Sequence, residues 1–261
     1  MNRRGVACAV ALIVCGLGLL AAEASASYLR CYAVVHKNDT SAQWNGARTN
    51  MDIHNGQIGT TDAQNGYFVA DALWVYDVWN GWSASNNQWV EVGYTRGWED
   101  DSNPGNNDVL TLYWTEQMWV EGIGYQYYEH KIRTSIAAGE TYWGKILYLG
   151  GGDAGYAQWG VYIDGDPADS QWWYSESQAH DHAHNLFCGL ENTASSGKLG
   201  SSSNHVEMKA VNKSSNGGTS WQTWAGDGLS ETVDSGSTYH CHGHWQSDDP
   251  TTANWQNYRN W

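Results

Sequence analysis

The feature that most restricts what this chain can fold into is a series of short segments whose side chains alternate in character with a period of two. LWVYDVW (Leu73 to Trp79), QWVEVGYT (Gln88 to Thr95), DVLTLYWT (Asp108 to Thr115), YQYYEHKI (Tyr125 to Ile132), KILYLG (Lys145 to Gly150) and YAQWGVYIDG (Tyr156 to Gly165) all read this way. Successive residues of a strand point to opposite faces, so each segment presents one apolar and one mixed face. Turn signals separate them: NGW at Asn80, SNPGNND at Ser102, GGGDAG at Gly150 and IDGDP at Ile163. No long amphipathic helical pattern and no repeat of fixed period interrupts the series. Strands at this spacing close into a sandwich or barrel rather than βαβ units. The expected fold is therefore all-β, an antiparallel β-sandwich or jelly roll of the concanavalin kind with little helix. Seventeen Trp and sixteen Tyr against two Phe and three Pro, with thirty Gly, suit strands joined by tight turns.

The N-terminus reads as an address rather than as part of that fold. Arg3 and Arg4 precede an apolar run from Val6 to Ala22, and Ala24-Ser25-Ala26 supplies the small residues that signal peptidase cuts after. The run is too short for a stable membrane span. Residues 1–26 are expected to be a signal peptide and residues 27–261 a single β-sandwich domain, secreted to the outside of the cell. Removing Arg3, Arg4 and Glu23 from the 13 basic and 28 acidic side chains leaves 11 and 27, a formal charge of −16. Such a surface repels nucleic acid and anionic membrane, which excludes both as partners. Cys31, Cys188 and Cys241 remain, and in an oxidising compartment one pair of the three bridges; spacing does not choose which. From about Ala194 to Ser237 the composition turns to Ser, Gly, Asn and Thr around one strand-like piece, HVEMKAV (His205 to Val211). Trp221, Trp224 and Trp245 need somewhere to pack, so this region reads as loops and short strands of the same domain.

Alternation assigns faces within a strand. In QWVEVGYT, Val90, Val92 and Tyr94 share the apolar face, while Trp89, Glu91, Gly93 and Thr95 look the other way. A carboxylate between Trp and Gly on an outward face is a solvated surface residue or a cleft residue, and periodicity alone favours the former. The order of several short segments changes that reading. GARTNMDIHN, ALWVYDVW, WVEVGYTRG, LTLYWTEQ and DSQWWY follow one another between Gly46 and Tyr174. In order and approximate spacing, they resemble the catalytic domain of neprosin-type glutamic peptidases. The resemblance covers roughly half of the chain after the signal peptide.

It implies a β-sandwich whose active site is a pair of glutamates across a cleft. Glu91 in WVEVGY matches the first, and the nearest counterpart of the second is Glu191 in CGLENT. The family's "GYWP" segment after the paired tryptophans has no counterpart; HDHAH stands in its place. Glu129 and Glu207 are the fallback partners, although each also reads as a surface strand residue. Trp89, Tyr94, Trp114, Trp172 and Trp173 are the aromatic residues expected to contact substrate. The chemistry needs one ionised carboxylate to take a proton from water and one protonated carboxyl to polarise the scissile carbonyl. Two close carboxyls cannot both ionise cheaply, so their proton affinities separate and the pair is expected to work in acid. The implied substrate is a peptide or protein, and no cofactor is required.

Two further stretches compete for attention. HDHAH places His180, His182 and His184, and HCHGH places His240, His242 and His244, at alternate positions. Imidazoles at i and i+2 share one face of a strand and can meet one zinc or copper ion. The same clusters can instead be hydrophilic loops, or groups that gain charge in acid and relieve the repulsion of a −16 protein. EDDSNPGNND (Glu99 to Asp108) resembles a calcium-ligating loop but equally a solvated hairpin. The tryptophans leave open a rival class of function, a non-catalytic extracellular protein that binds polysaccharide on aromatic platforms or divalent metal on its histidines.

Overall fold

The computed structural model describes residues 31–38, 44–78, 87–98, 106, 108–120, 123–151, 156–164, 166–174, 183, 185–224, 230–233, 241–246 and 254–259. The segment expected to be a signal peptide lies outside these residues.

The strands form two antiparallel sheets. The first runs, edge to edge, through β15 (Ser230–Val233), β1 (Cys31–Asn38), β11 (Asn185–Asn192), β4 (Val69–Val78), β5 (Asn87–Arg96), β6 (Leu110–Val120) and β7 (Gly124–Thr134). The second runs through β10 (Asp166–Tyr174), β9 (Tyr156–Ile163), β8 (Thr141–Gly151), β2 (Gly46–Asp52), β13 (Val206–Ser214), β17 (Asn254–Arg259), β12 (Lys198–Leu199) and β3 (Gly56–Gln57). Beside it, β14 (Gln222–Thr223) pairs with β13 and β16 (Cys241–Gln246) with β17. The one helix among the described residues is α1 (Thr60–Gln64). This is the expected all-β sandwich with little helix.

Period-two patterning explains how the sheets meet. Val90, Val92 and Tyr94 of β5, Leu110, Leu112 and Trp114 of β6, and Leu186, Cys188 and Leu190 of β11 point into one core. Facing them are Met51 of β2, Ile146 of β8, Trp159 and Val161 of β9, and Val206 and Met208 of β13. Burying each of these larger side chains stabilises the fold by about 1.5–3 kcal/mol. Cys31 and Cys241 form a disulfide that ties β1 to β16, with Cα atoms 6.0 Å apart, and Cys188 stays a buried thiol.

The first sheet is unusual in carrying a second apolar layer on its outward face. Trp74, Trp98, Tyr113 and Phe187 pack there with Ala70, Ala72 and Val34, and Tyr32 and Trp89 lean against them. As a result every residue of β11 is buried. Polar groups placed on this outward face are therefore withdrawn from water, which is what positions the site.

Candidate active site

Glu91 lies in the middle of β5 on the outward parity, opposite Trp74 of β4 on one side and Thr115 of β6 on the other. It is only 5% exposed. The Tyr113 hydroxyl donates to its Oε1 and the Thr115 hydroxyl to its Oε2, at 3.1 Å for the latter, and the Trp74 side chain adds a third hydrogen bond. Burial among the aromatic rings pushes its pKa up, and the nearby charge of Glu191 pushes it further. The three hydrogen bonds pull the other way and lose. The balance carries Glu91 from the ordinary 4.5 to about 8, so it is a protonated carboxyl at neutral pH.

Glu191 stands on the same face. It lies on β11 opposite Tyr32 of β1 and Ala70 of β4, and accepts a hydrogen bond from the Tyr32 hydroxyl at 3.1 Å. Ala70 and Trp74, the β4 partners of the two glutamates, are four residues apart, and β5 and β11 flank β4. The backbone positions are thus displaced by about 13 Å along the strands and about 10 Å across them. Across that gap the charge of Glu191 raises the Glu91 pKa.

The row between them is almost bare. Gly93, Ala72 and Gly189 lie side by side across β5, β4 and β11, and no side chain there is larger than a methyl. A Cβ at Gly93 would collide with the Asp71 carbonyl and with the Ala72 methyl group. Gly189 has φ of 138°, a conformation that favours glycine. The row continues at one end to Tyr113, which pairs with Gly93. This row is itself buried within the outward aromatic layer, with a glutamate on either side.

Aromatic groups wall it. Trp98 meets Tyr113 edge-on with centroids 4.8 Å apart, and Trp89 meets Tyr127 of β7 at 5.6 Å. Burial raises the Tyr113 phenol well above its usual range, crowding by its neighbours raises that of the partly exposed Tyr127, and both feel the two glutamates. Glu129, opposite Thr115 on β7, shares the face, and the desolvation by its neighbours raises its pKa as well. Glu207 is on the other sheet, 2.7 Å from the Lys209 ammonium, and takes no part.

The expected substrate contacts divide. Trp89 is on the site face. Tyr94 and Trp114 are not: they point inward with Val92 and Leu112 and are fully enclosed by the core, so neither lines a surface. Trp172 and Trp173 belong to β10, where they pair with Gln158 and Ala157 on the second sheet; their side chains lie outside the described residues. So do His180, His182, His184 and His240, and most of the Glu99–Asp108 loop. His242 and His244 are on β16, with backbones paired to Tyr258 and Gln256 of β17, and their side chains are likewise outside. Among the described residues no three His, Cys, Asp or Glu side chains form a metal-holding group.

Sequence reasoning missed Tyr113, Thr115 and Trp74, which hold Glu91, and Tyr32, which holds Glu191. A signal existed for two of them. Once Leu110, Leu112 and Trp114 are taken as the apolar parity of LTLYWT, Tyr113 and Thr115 fall on the face that Glu91 shares.

Together, these features define a β-sandwich protein with a buried carboxyl pair on the outward face of one sheet. No protein-family model matches the chain. No curated protein sequence matches it either. Among solved structures it is similar to the endo-β-1,4-glucuronan lyase from the fungus Trichoderma reesei, at 11% identity and a TM-score of 0.38 over 64% of this chain. The match spans 65% of the lyase. It is also similar to a glycoside hydrolase family 16 endo-glucanase from Bacteroides ovatus, at 11% identity and a TM-score of 0.36, over 64% of this chain and 69% of that one. At these TM-scores neither likeness bears on the chemistry of the site.

Proposed function

We propose that this chain is a secreted hydrolase that cleaves peptide bonds, with Glu91 as the acid and Glu191 as the base. The observation that carries the reading is Glu91 itself: a buried carboxyl kept protonated up to about pH 8, on the same sheet face as a second buried glutamate whose charge helps to raise its pKa. The preference for peptides comes from the resemblance of the segments between Gly46 and Tyr174.

In this mechanism Glu191 takes a proton from a water molecule. The water oxygen bonds to the scissile carbonyl carbon, and the carbonyl π electrons move to its oxygen, which Glu91 stabilises with its proton. Collapse of the tetrahedral species breaks the C–N bond, and the departing nitrogen leaves with the proton held by Glu191. No metal is required. The working range follows from the ionisation of Glu91. Composition and pairing alone suggested an acid enzyme, but a proton retained to about pH 8 extends the competent form to neutrality.

A second reading, cleavage of a polysaccharide, draws support from the rings of Trp89, Tyr113 and Tyr127 around the same carboxyls. A divalent metal on the histidine triplets would be a separate property. The test is to incubate the protein at pH 5 with a denatured protein and with a β-glucan, measuring new amino groups and new reducing ends. Amine release alone supports the peptidase; reducing ends alone replace it with a glycosidase. Neither product from folded protein leaves a binding protein.

A further inference from the structure

On the opposite side of the molecule, the outward face of the second sheet carries a charge arrangement that strands normally avoid. Arg48 of β2 and Lys145 of β8 are directly paired across the strands. Like charges so placed destabilise a sheet. Neither has a carboxylate partner among the described residues. Asp52 at the end of β2 is engaged by Lys209, and Asp164, just past β9, accepts from the backbone N–H of Trp143 at 3.0 Å. The pair is half-buried, and burial pushes both side chains toward losing their charge; at Lys145 the charge of Arg48 adds to that push. They crowd together in a protein of net charge −15.

Aromatic rings hold them. The Arg48 guanidinium lies 4.5 Å from the Trp221 ring centre, and the Lys145 ammonium lies 3.9 Å from Tyr162 and 5.6 Å from Trp143. Trp221 sits over Gly46, where an added Cβ would be 3.4 Å from the ring, and Tyr162 leans over Gly160. Gly46, Leu147 and Gly160 form one row across β2, β8 and β9. The two rings are therefore about two strand spacings apart, roughly 10 Å, the reach of two linked pyranose rings. Arg48, Lys145 and Tyr162 form one row, and Leu147 lies between the two glycines in the next.

From this juxtaposition we infer that the Arg48–Lys145 face is a binding platform for an acidic polysaccharide, a chain of sugars bearing carboxylates. The guanidinium and ammonium supply the charge-assisted hydrogen bonds that a uronate carboxylate accepts, and Trp221 and Tyr162 supply the surfaces on which sugar rings stack. An acidic peptide would satisfy the cations but leave the rings unused, and the overall negative charge opposes binding of any polyanion that does not find this patch. The site does not depend on the glutamate pair.

The test is binding of polygalacturonate at 0.15 M salt, followed by calorimetry and Trp fluorescence. The wild type is expected to bind it and to ignore the fully methyl-esterified polymer. R48Q/K145Q, which relieves a repulsion and keeps the fold, is expected to weaken binding by at least about ten-fold. Trp221→Ala is expected to weaken it with the charges intact, and Glu91→Gln to leave it unchanged. Equal binding of the esterified polymer, an unaffected R48Q/K145Q or Trp221→Ala variant, or no binding by the wild type would overturn the inference. So would polyglutamate binding as tightly as polygalacturonate, which would make the occupant an acidic peptide.

Discussion

Replacing Glu91 by Gln is expected to change how the stability of this protein depends on pH. Glu91 has an ordinary pKa of 4.5 when unfolded and about 8 when folded, because burial and Glu191 disfavour its charge. A raised carboxyl pKa means that the folded state holds a proton which the unfolded state has lost throughout that window. Stability is then full below pH 4.5 and declines as pH rises toward 8. Each pH unit costs about 1.4 kcal/mol, so the 3.5-unit window amounts to about 5 kcal/mol. That is a large part of the whole stability of a domain. Glutamine fills the same space, accepts from one of the two hydroxyls through its amide oxygen and donates its amide N–H to the other, without a charge to bury. Urea unfolding of wild type and Glu91→Gln at pH 5 and pH 8 measures the effect. The wild type should lose several kcal/mol more than the variant between the two. Protonation of the histidine triplets would also favour the acid side, but equally in both proteins, so the difference isolates Glu91. Equal losses in the two proteins would refute the reasoning.

Three other outcomes follow from the same structure. Tyr113→Phe removes a donor that holds the Glu91 pKa down, so the alkaline limb of a pH–rate profile should move above its wild-type position near pH 8. Gly93→Ala drives a methyl into the Asp71 carbonyl and should destabilise by at least about 1–3 kcal/mol in urea unfolding. Cys31→Ser with Cys241→Ser opens a bridge between residues 210 positions apart and should cost about 2–5 kcal/mol by thermal or urea unfolding. In the same samples Cys188, buried and with its thiol pKa pushed up, should react with a thiol reagent only after unfolding.

How much of this was legible in the chain depends on the range of the interaction. Alternation is local, so QWVEVGYT placed Val90, Val92 and Tyr94 in the core and Glu91 outside it, as the structure has them. The same parity should have removed Tyr94 and Trp114 from any list of substrate contacts. Their aromatic character drew them there, yet a ring on the apolar parity of a sandwich strand belongs to the core. Register between strands is not local. That Tyr32 reaches Glu191 from a position 159 residues earlier, or that Gly93, Ala72 and Gly189 share a row, follows only once β11 docks against β4. Cys31 finds Cys241 for the same reason: β1 and β16 are neighbours in space and far apart in sequence. The cation pair of Arg48 and Lys145 was invisible because each residue alone is an ordinary strand cation.

The measurement that bears most directly on the glutamate pair is the rate of hydrolysis of a denatured protein from pH 3 to 9, for wild type, Glu91→Gln and Glu191→Gln, each with and without a chelator. The wild-type rate should fall as pH rises through about 8, where Glu91 gives up its proton. Both variants should lose at least about 100-fold at pH 5 while remaining folded, and the chelator should change nothing. Activity that survives either substitution, or that disappears with the chelator, would contradict a two-glutamate mechanism.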